Sequence, residues 1–170
     1  MAVELPPPYV LVGNSLGGIF TNIYARTYPE EVSGIVLVEA AHPDEPKKQN
    51  EGQKQSFVLS INNGLKSIER KFDQYKYSEE EKIDETINQV KNAGGFPQIP
   101  LAVVTGTKKM PFVPESNFEL HLQFQKELLA LSASSKHFVA AGSGHFPQVT
   151  EPGIVVAAIN YVVGLAIDAE

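Results

Sequence analysis

The chain has 170 residues, 42% of them hydrophobic and 20% charged, with 14 Lys and Arg against 20 Asp and Glu for a net charge of −6. This length suits one domain that buries about two-thirds of its unfolded surface; the composition excludes intrinsic disorder, and the acidic balance argues against nucleic acid as a partner. With no cysteine in the chain, disulfides, thiolate nucleophiles and Cys-ligated zinc are excluded.

No apolar run reaches the roughly 18 residues of a membrane span, and no basic segment precedes an apolar stretch at the N-terminus. The expectation is a soluble, cytoplasmic protein with no membrane span.

After Pro6-Pro7-Pro8, the run Tyr9-Val10-Leu11-Val12 is apolar throughout and stops at Gly13, the composition of a central strand buried on both faces of a parallel sheet. From Leu16 the period changes. Leu16, Ile19, Phe20, Ile23 and Tyr24 recur at helical spacing until Pro29 ends the helix. Residues 34–38 (Gly-Ile-Val-Leu-Val) then read as a second buried strand.

Residues 41–98 are richer in Lys, Glu, Gln and Asn and read as a helical lid inserted within a single domain spanning 1–170. Its clearest helix is 78–94, with a Ser78–Glu81 capping box, an apolar stripe of Ile83, Ile87 and Val90, and a Gly94-Gly95 stop. A weaker helical pattern covers 57–75. The apolar residues Phe57, Ile61, Leu65, Ile68, Ile83 and Ile87 are expected to cover an apolar pocket.

A third strand spans 99–104 and ends at Thr105-Gly106. Ser116 and Glu119 form a second capping box for a helix running through Leu120, Phe124, Leu128 and Leu131. A fourth strand at 137–141 breaks at Gly142-Ser143-Gly144, and Thr150 caps a closing helix with Pro152 in its first turn. The fold class is therefore α/β: a mainly parallel sheet of about four strands with flanking helices and a helical lid insertion.

The segment Gly13-Asn14-Ser15-Leu16-Gly17 is a GxSxG sequence lying between a strand and a helix. Such a Ser sits on a sharp, strained turn, so Gly13 and Gly17 are expected to supply room for it, and its hydroxyl stands above the sheet at a helix start. There the Leu16 N–H is placed to donate to a developing oxyanion.

This elbow of Gly13, Asn14, Ser15, Leu16 and Gly17 resembles that of the α/β-hydrolase family. The resemblance covers essentially the whole chain but only the second half of the family's fold, from the nucleophile strand onward. It implies a serine hydrolase of the esterase or lipase type, cleaving carboxylic ester bonds through an acyl-enzyme, with no metal or organic cofactor. Dehalogenase and epoxide hydrolase chemistry is disfavoured, because those relatives place Asp where Ser15 stands.

Ser15 needs a base. His145, in Gly144-His145-Phe146-Pro147 after the fourth strand, resembles the family's catalytic His. His121 lies mid-helix and reads as a surface or packing residue, His137 as structural, and His42 and Phe146 as pocket lining.

The family's commonest acid follows the penultimate strand, where this chain has Lys109. A branch that includes some haloalkane dehalogenases takes it instead from the strand after the elbow helix, which points to Glu39, with Asp44 and Glu115 as alternatives. No sequence before Ser15 matches the family's second oxyanion donor loop. Losing one such donor costs about 2.7 to 4 kcal/mol of barrier, so weak activity is expected, and the alternative reading is a hydrolase-fold binding or interaction protein with little or no turnover.

With the family's earlier strands unmatched, Tyr9-Val10-Leu11-Val12 would form a sheet edge open to pairing. The expected partner, besides a small-molecule ester, is a second copy in a homodimer or an N-terminal complementing segment.

Overall fold

The computed structural model describes residues 5–45 and 82–168. Their elements run β1 (Tyr9–Asn14), α1 (Gly17–Thr27), a 3-10 turn (Pro29–Glu31), β2 (Val32–Val38), α2 (Ile83–Asn92), β3 (Leu101–Gly106) and α3 (Glu115–Leu128), then a 3-10 turn (Leu129–Leu131), β4 (Ser135–Ala140), α4 (Pro147–Thr150) and α5 (Pro152–Asp168). The four strands form one sheet in the order β1-β2-β3-β4. Every pairing is parallel, with Asn14 opposite Val38, Val38 opposite Val104, and Val104 opposite Phe138.

Alternation along the strands divides the core between the sheet's two faces. Ile35, Leu37, Leu101 and Val103 pack with Ala25 of α1 and Leu128 of α3. Val36, Val38, Ala102 and Val104 pack with Val155, Ala158 and Val162 of α5. β2 and β3 are buried on both faces, which is why they are apolar at nearly every position. Gly34 lets α5 approach closely, since a Cβ there would lie 2.3 Å from Val162 Cγ1.

β1 stands at the sheet edge, as expected, and lacks the burial on both faces that its composition suggests. Among the described residues it pairs on one side only, with β2, and Val12 is 48% exposed. Its apolar side chains are only partly covered, Leu11 packing beside the core on one face of the sheet and Val10 beside the core on the other.

Two capping expectations fail for identifiable reasons. α3 opens directly at Glu115 behind Pro114, whose extended backbone (φ −58°, ψ 147°) serves as the N-cap with no side-chain cap bond. Ser116 therefore already lies within the first turn and forms no box with Glu119. Thr150 is the last residue of α4 and donates its hydroxyl back to the Phe146 carbonyl, while α5 begins at Pro152 itself.

Of the expected lid, the Ser78–Glu81 box, the 57–75 helix and Phe57, Ile61, Leu65 and Ile68 lie outside the described residues. α2 is present. Its Ile87 and Val90 are buried against Ile19 and Ala41, with Ile83 and Leu16 alongside.

Candidate active site

The elbow is built by backbone geometry. Ser15 has φ 53°, in the left-handed region that non-glycine residues rarely enter. Its N–H donates to the Val38 carbonyl (3.2 Å), and its own carbonyl accepts from Gly18 (3.1 Å) and Ala41 (2.9 Å). Asn14 ties the same junction through its side-chain amide, which donates to the Val38 carbonyl at 2.9 Å.

The glycines share the task differently from expectation. A Cβ on Gly13 would lie 2.6 Å from the Gly17 carbonyl oxygen, and one on Gly18 would lie 2.4 Å from Ala40 Cβ. On Gly17 it would meet no described atom within 4 Å. The close approaches thus fall at Gly13 and Gly18, because α1 crosses the segment leaving β2 one residue later than the pentapeptide suggests. Leu16 precedes α1 in right-handed helical geometry, and among the described residues its N–H has no hydrogen-bond acceptor.

Glu39 follows β2 in a matching turn. Its φ is 47°, and its N–H donates to the Val104 carbonyl at 2.8 Å. The side chain is buried and its carboxylate is fully engaged. Oε1 accepts from the Gly106 N–H at 2.7 Å, while Oε2 lies 3.3 Å from His145 Nδ1 and 3.2 Å from His121 Nε2.

His145 is held by a loop pressed against the end of β3. A Cβ on Gly106 would sit 2.2 Å from the Gly144 carbonyl oxygen, and one on Gly144 would sit 2.8 Å from that of Lys108, so both positions must lack a side chain. Lys108 N–H donates to Ser143 at 2.9 Å, and the buried Ser143 hydroxyl is 2.8 Å from Glu151 Oε2. The Phe146 ring stands edge-on to His145, with centroids 5.0 Å apart.

The other sequence candidates lie elsewhere. Lys109 donates to the Val113 carbonyl at 2.9 Å and pairs with the exposed Glu115 at 3.9 Å. Asp44 is ion-paired with Lys91. His42 stacks on Phe124 and lines a cavity of about 290 Å³ with Asn22, Arg26, Asp44, Lys91 and Leu131, which none of Ser15, Glu39 and His145 borders. His137 bonds Thr105 Oγ1 at 2.9 Å, a structural contact as expected.

His121, expected as a surface or packing residue, is buried and also engages two carboxylates. It is 1% exposed, and its Nδ1 lies 3.0 Å from Oε1 of the equally buried Glu45. Burial drives this imidazole toward neutrality, but hydrogen bonds to Glu39 and Glu45 and their negative charges outweigh it, pushing the pKa up to about 10. Burial likewise pushes the Glu39 carboxyl up. Hydrogen bonds and charge from His121 and His145 overcome that and hold it below its ordinary value.

Sequence reasoning missed both His121 and Glu45. The available signal was the spacing of Asn117, His121 and Gln125, four residues apart on the face of α3 that also carries Phe124 and Leu128. Polar residues in register on an otherwise apolar face indicate buried partners.

A family model for the α/β-hydrolase fold matches residues 2–63. Over 37 residues the chain is 43% identical to an uncharacterized protein of Schizosaccharomyces pombe, a stretch that is 22% of this chain and 7% of that one. An esterase from Exiguobacterium antarcticum superposes with a TM-score of 0.55 at 18% identity, covering 92% of this chain and 67% of that one. An α/β-hydrolase enzyme from the sediment metagenome of the Mar Chica lagoon gives 0.53 at 15% identity, over 91% and 60%. A thermophilic esterase from Thermogutta terrifontis gives 0.51 at 17%, over 94% and 66%. The chain thus spans 60 to 67% of the length of these solved structures.

Proposed function

Because the chain has the α/β-hydrolase fold, we propose that it is a serine hydrolase that cleaves carboxylic esters, with Ser15 as nucleophile, His145 as base and Glu39 as the acid that orients it. The observation that carries this reading is the bond between His145 Nδ1 and the buried Glu39 carboxylate, at the sheet edge where Ser15 occupies a strained turn. A carboxylate on Nδ1 fixes the tautomer with its lone pair on Nε2, the form able to take a proton from a serine hydroxyl.

In this scheme Ser15 Oγ bonds to the ester carbonyl carbon while its proton passes to His145 Nε2. The carbonyl π electrons move onto oxygen, and the Leu16 N–H donates a hydrogen bond to the resulting oxyanion. Collapse breaks the bond to the alcohol, which leaves with the proton from His145. Water then attacks the acyl-Ser15 with His145 again as base, releasing the carboxylic acid and free Ser15.

Glu39 and His121 form a charge pair, so proton transfer does not require Glu39 to change state. A second oxyanion donor comes, in this proposal, from an N-terminal complementing segment or a second copy seated along β1. The half-exposed Val12 on that edge strand favours such an arrangement.

A fluorophosphonate probe tests the reading, since it phosphonylates only an activated serine. Labelling of the wild-type chain that is lost in Ser15→Ala and slowed at least a hundredfold in His145→Ala is expected. Equal labelling of wild type and Ser15→Ala would overturn the assignment.

A further inference from the structure

Two buried ionisable groups, His121 and Glu45, take no part in the acyl-transfer scheme. Each ring nitrogen of His121 faces a carboxylate oxygen, Nδ1 toward Glu45 at 3.0 Å and Nε2 toward Glu39 at 3.2 Å. A neutral imidazole carries one N–H and one lone pair, so in either tautomer it would aim a lone pair at a buried carboxylate. Only the imidazolium donates to both. The Glu39 oxygen it meets is Oε2, which also faces His145. The two imidazole nitrogens are therefore no farther apart than the sum of those two contacts.

A cation at that distance acts on His145 in two ways. It anchors Oε2, so that the carboxylate cannot rotate away from His145 while Gly106 anchors Oε1. It also cancels part of the negative field that Glu39 would otherwise exert, and an opposing charge at a few ångströms in a buried site is felt strongly.

Among the described residues, the ionisable groups facing His121 are Glu39 at the end of β2 and Glu45 beyond it, with His145 reached through Glu39. Nearby, His42 stacks on Phe124 of the same helix, Asp44 is turned to Lys91, and Glu115 is paired with Lys109 at the helix start.

We propose that His121 is a positioning residue for the His145–Glu39 pair: a buried cation held by Glu45, it fixes the Glu39 carboxylate on His145 and offsets part of that carboxylate's charge. Burial with two carboxylates holding the ring charged across the physiological range supports this. The catalytic consequence rests on the reading of His145 as base, whereas the effect on His145 itself does not.

The test uses the full chain with isotopically labelled histidine, as wild type, Glu45→Gln and the double variant Glu45→Gln/His121→Gln. The double variant removes one anion and one cation together, leaving amides that can still hydrogen-bond. NMR titration of the His145 ring is expected to give an apparent pKa about one unit higher than wild type in the double variant. In Glu45→Gln alone the cation loses its distant anion but keeps Glu39, and the His145 value is expected to move down.

The acid limb of kcat/KM for a p-nitrophenyl ester should follow the NMR value in each protein, with KM unchanged. A double variant that is folded by its amide spectrum and titrates within about 0.2 unit of wild type overturns the proposal. Shifts in the same direction for both variants do so too. Should the double variant fail to fold, His121→Gln alone decides: removing a cation raises the His145 value and supports the proposal, whereas no shift or a downward one overturns it. NMR shifts as expected with no ester hydrolysis by any of the proteins would sink the hydrolase reading and leave the His121 proposal standing.

Discussion

Replacing Glu39 by Gln changes one oxygen for an NH2 group in a pocket where every direction is already taken by a donor. Oε1 meets the Gly106 N–H and Oε2 meets the rings of His145 and His121. If the new NH2 faces Gly106, two N–H groups oppose each other in a buried site, costing about 1 to 3 kcal/mol. If it faces the rings, it donates to His145 Nδ1, which must then carry the lone pair, and the ring proton moves to Nε2. That tautomer cannot accept a proton from Ser15. The loss expected from such a wrong-tautomer substitution is about a thousand- to ten-thousand-fold in turnover.

The fold should survive, because His121 keeps Glu45 as a counter-ion. Glu115→Gln is the control, being exposed and paired only with Lys109 among the described residues. Hydrolysis of a p-nitrophenyl ester, normalised to folded protein by urea unfolding, should show the large loss for Glu39→Gln and less than a twofold change for Glu115→Gln. Turnover above a tenth of wild type in folded Glu39→Gln would refute the assignment of Glu39.

Three further outcomes follow from the same geometry. His121, held charged up to about pH 10 against an ordinary value near 6.5, contributes stability that is complete below about pH 6.5 and is lost as pH rises through its folded value. Glu39, held below its ordinary value, contributes stability lost only as pH falls through that lowered value. The melting temperature should therefore drop between about pH 7 and 10 in wild type and much less in Glu45→Gln/His121→Gln, as scanning calorimetry would show. Gly13→Ala and Gly18→Ala should lower the urea midpoint, since their Cβ atoms would lie 2.6 Å from a backbone oxygen and 2.4 Å from Ala40 Cβ, whereas Gly17→Ala, which is open, should gain about 0.5 to 1 kcal/mol. Ile87→Ala, which empties a buried position between α2 and Ile19, should cost about 2 to 5 kcal/mol by the same measurement.

The strands and their order of use were legible in the sequence because burial on both faces writes itself as unbroken apolar runs, as in 34–38. The elbow was legible because a strand, a glycine-flanked serine and a helix occur in immediate succession. What sequence could not supply was whatever depends on contacts between distant segments. His121 meets Glu39 and Glu45 across gaps of 82 and 76 residues, so the spacing on α3 could signal that it is buried but not which residues it meets. The pentapeptide points to Gly17 by counting positions along the chain, while the close approach is at Gly18, where α1 crosses Ala40. The Ser116 box failed because Pro114 starts the helix first.

Ser15 and Glu39 are the two non-glycine residues with positive φ among those described, at 53° and 47°. Each is the first residue beyond its strand, and each donates its N–H to the neighbouring strand's last paired carbonyl, Ser15 to Val38 and Glu39 to Val104. The register places Asn14 opposite Val38, so the two residues leave the sheet side by side. Strain of this kind costs about 1 to 3 kcal/mol per residue and persists only where surrounding bonds over-determine it. Here the Ser15 carbonyl accepts two N–H groups and the Glu39 carboxylate faces three donors. A glycine at either position would relax the backbone and remove the reactive side chain. The proposed chemistry needs a hydroxyl at one strained turn and a carboxylate at the other with His145 drawn onto it, while at Glu39 the same side chain also satisfies the Gly106 N–H and His121, contacts that a glycine would leave unpaired.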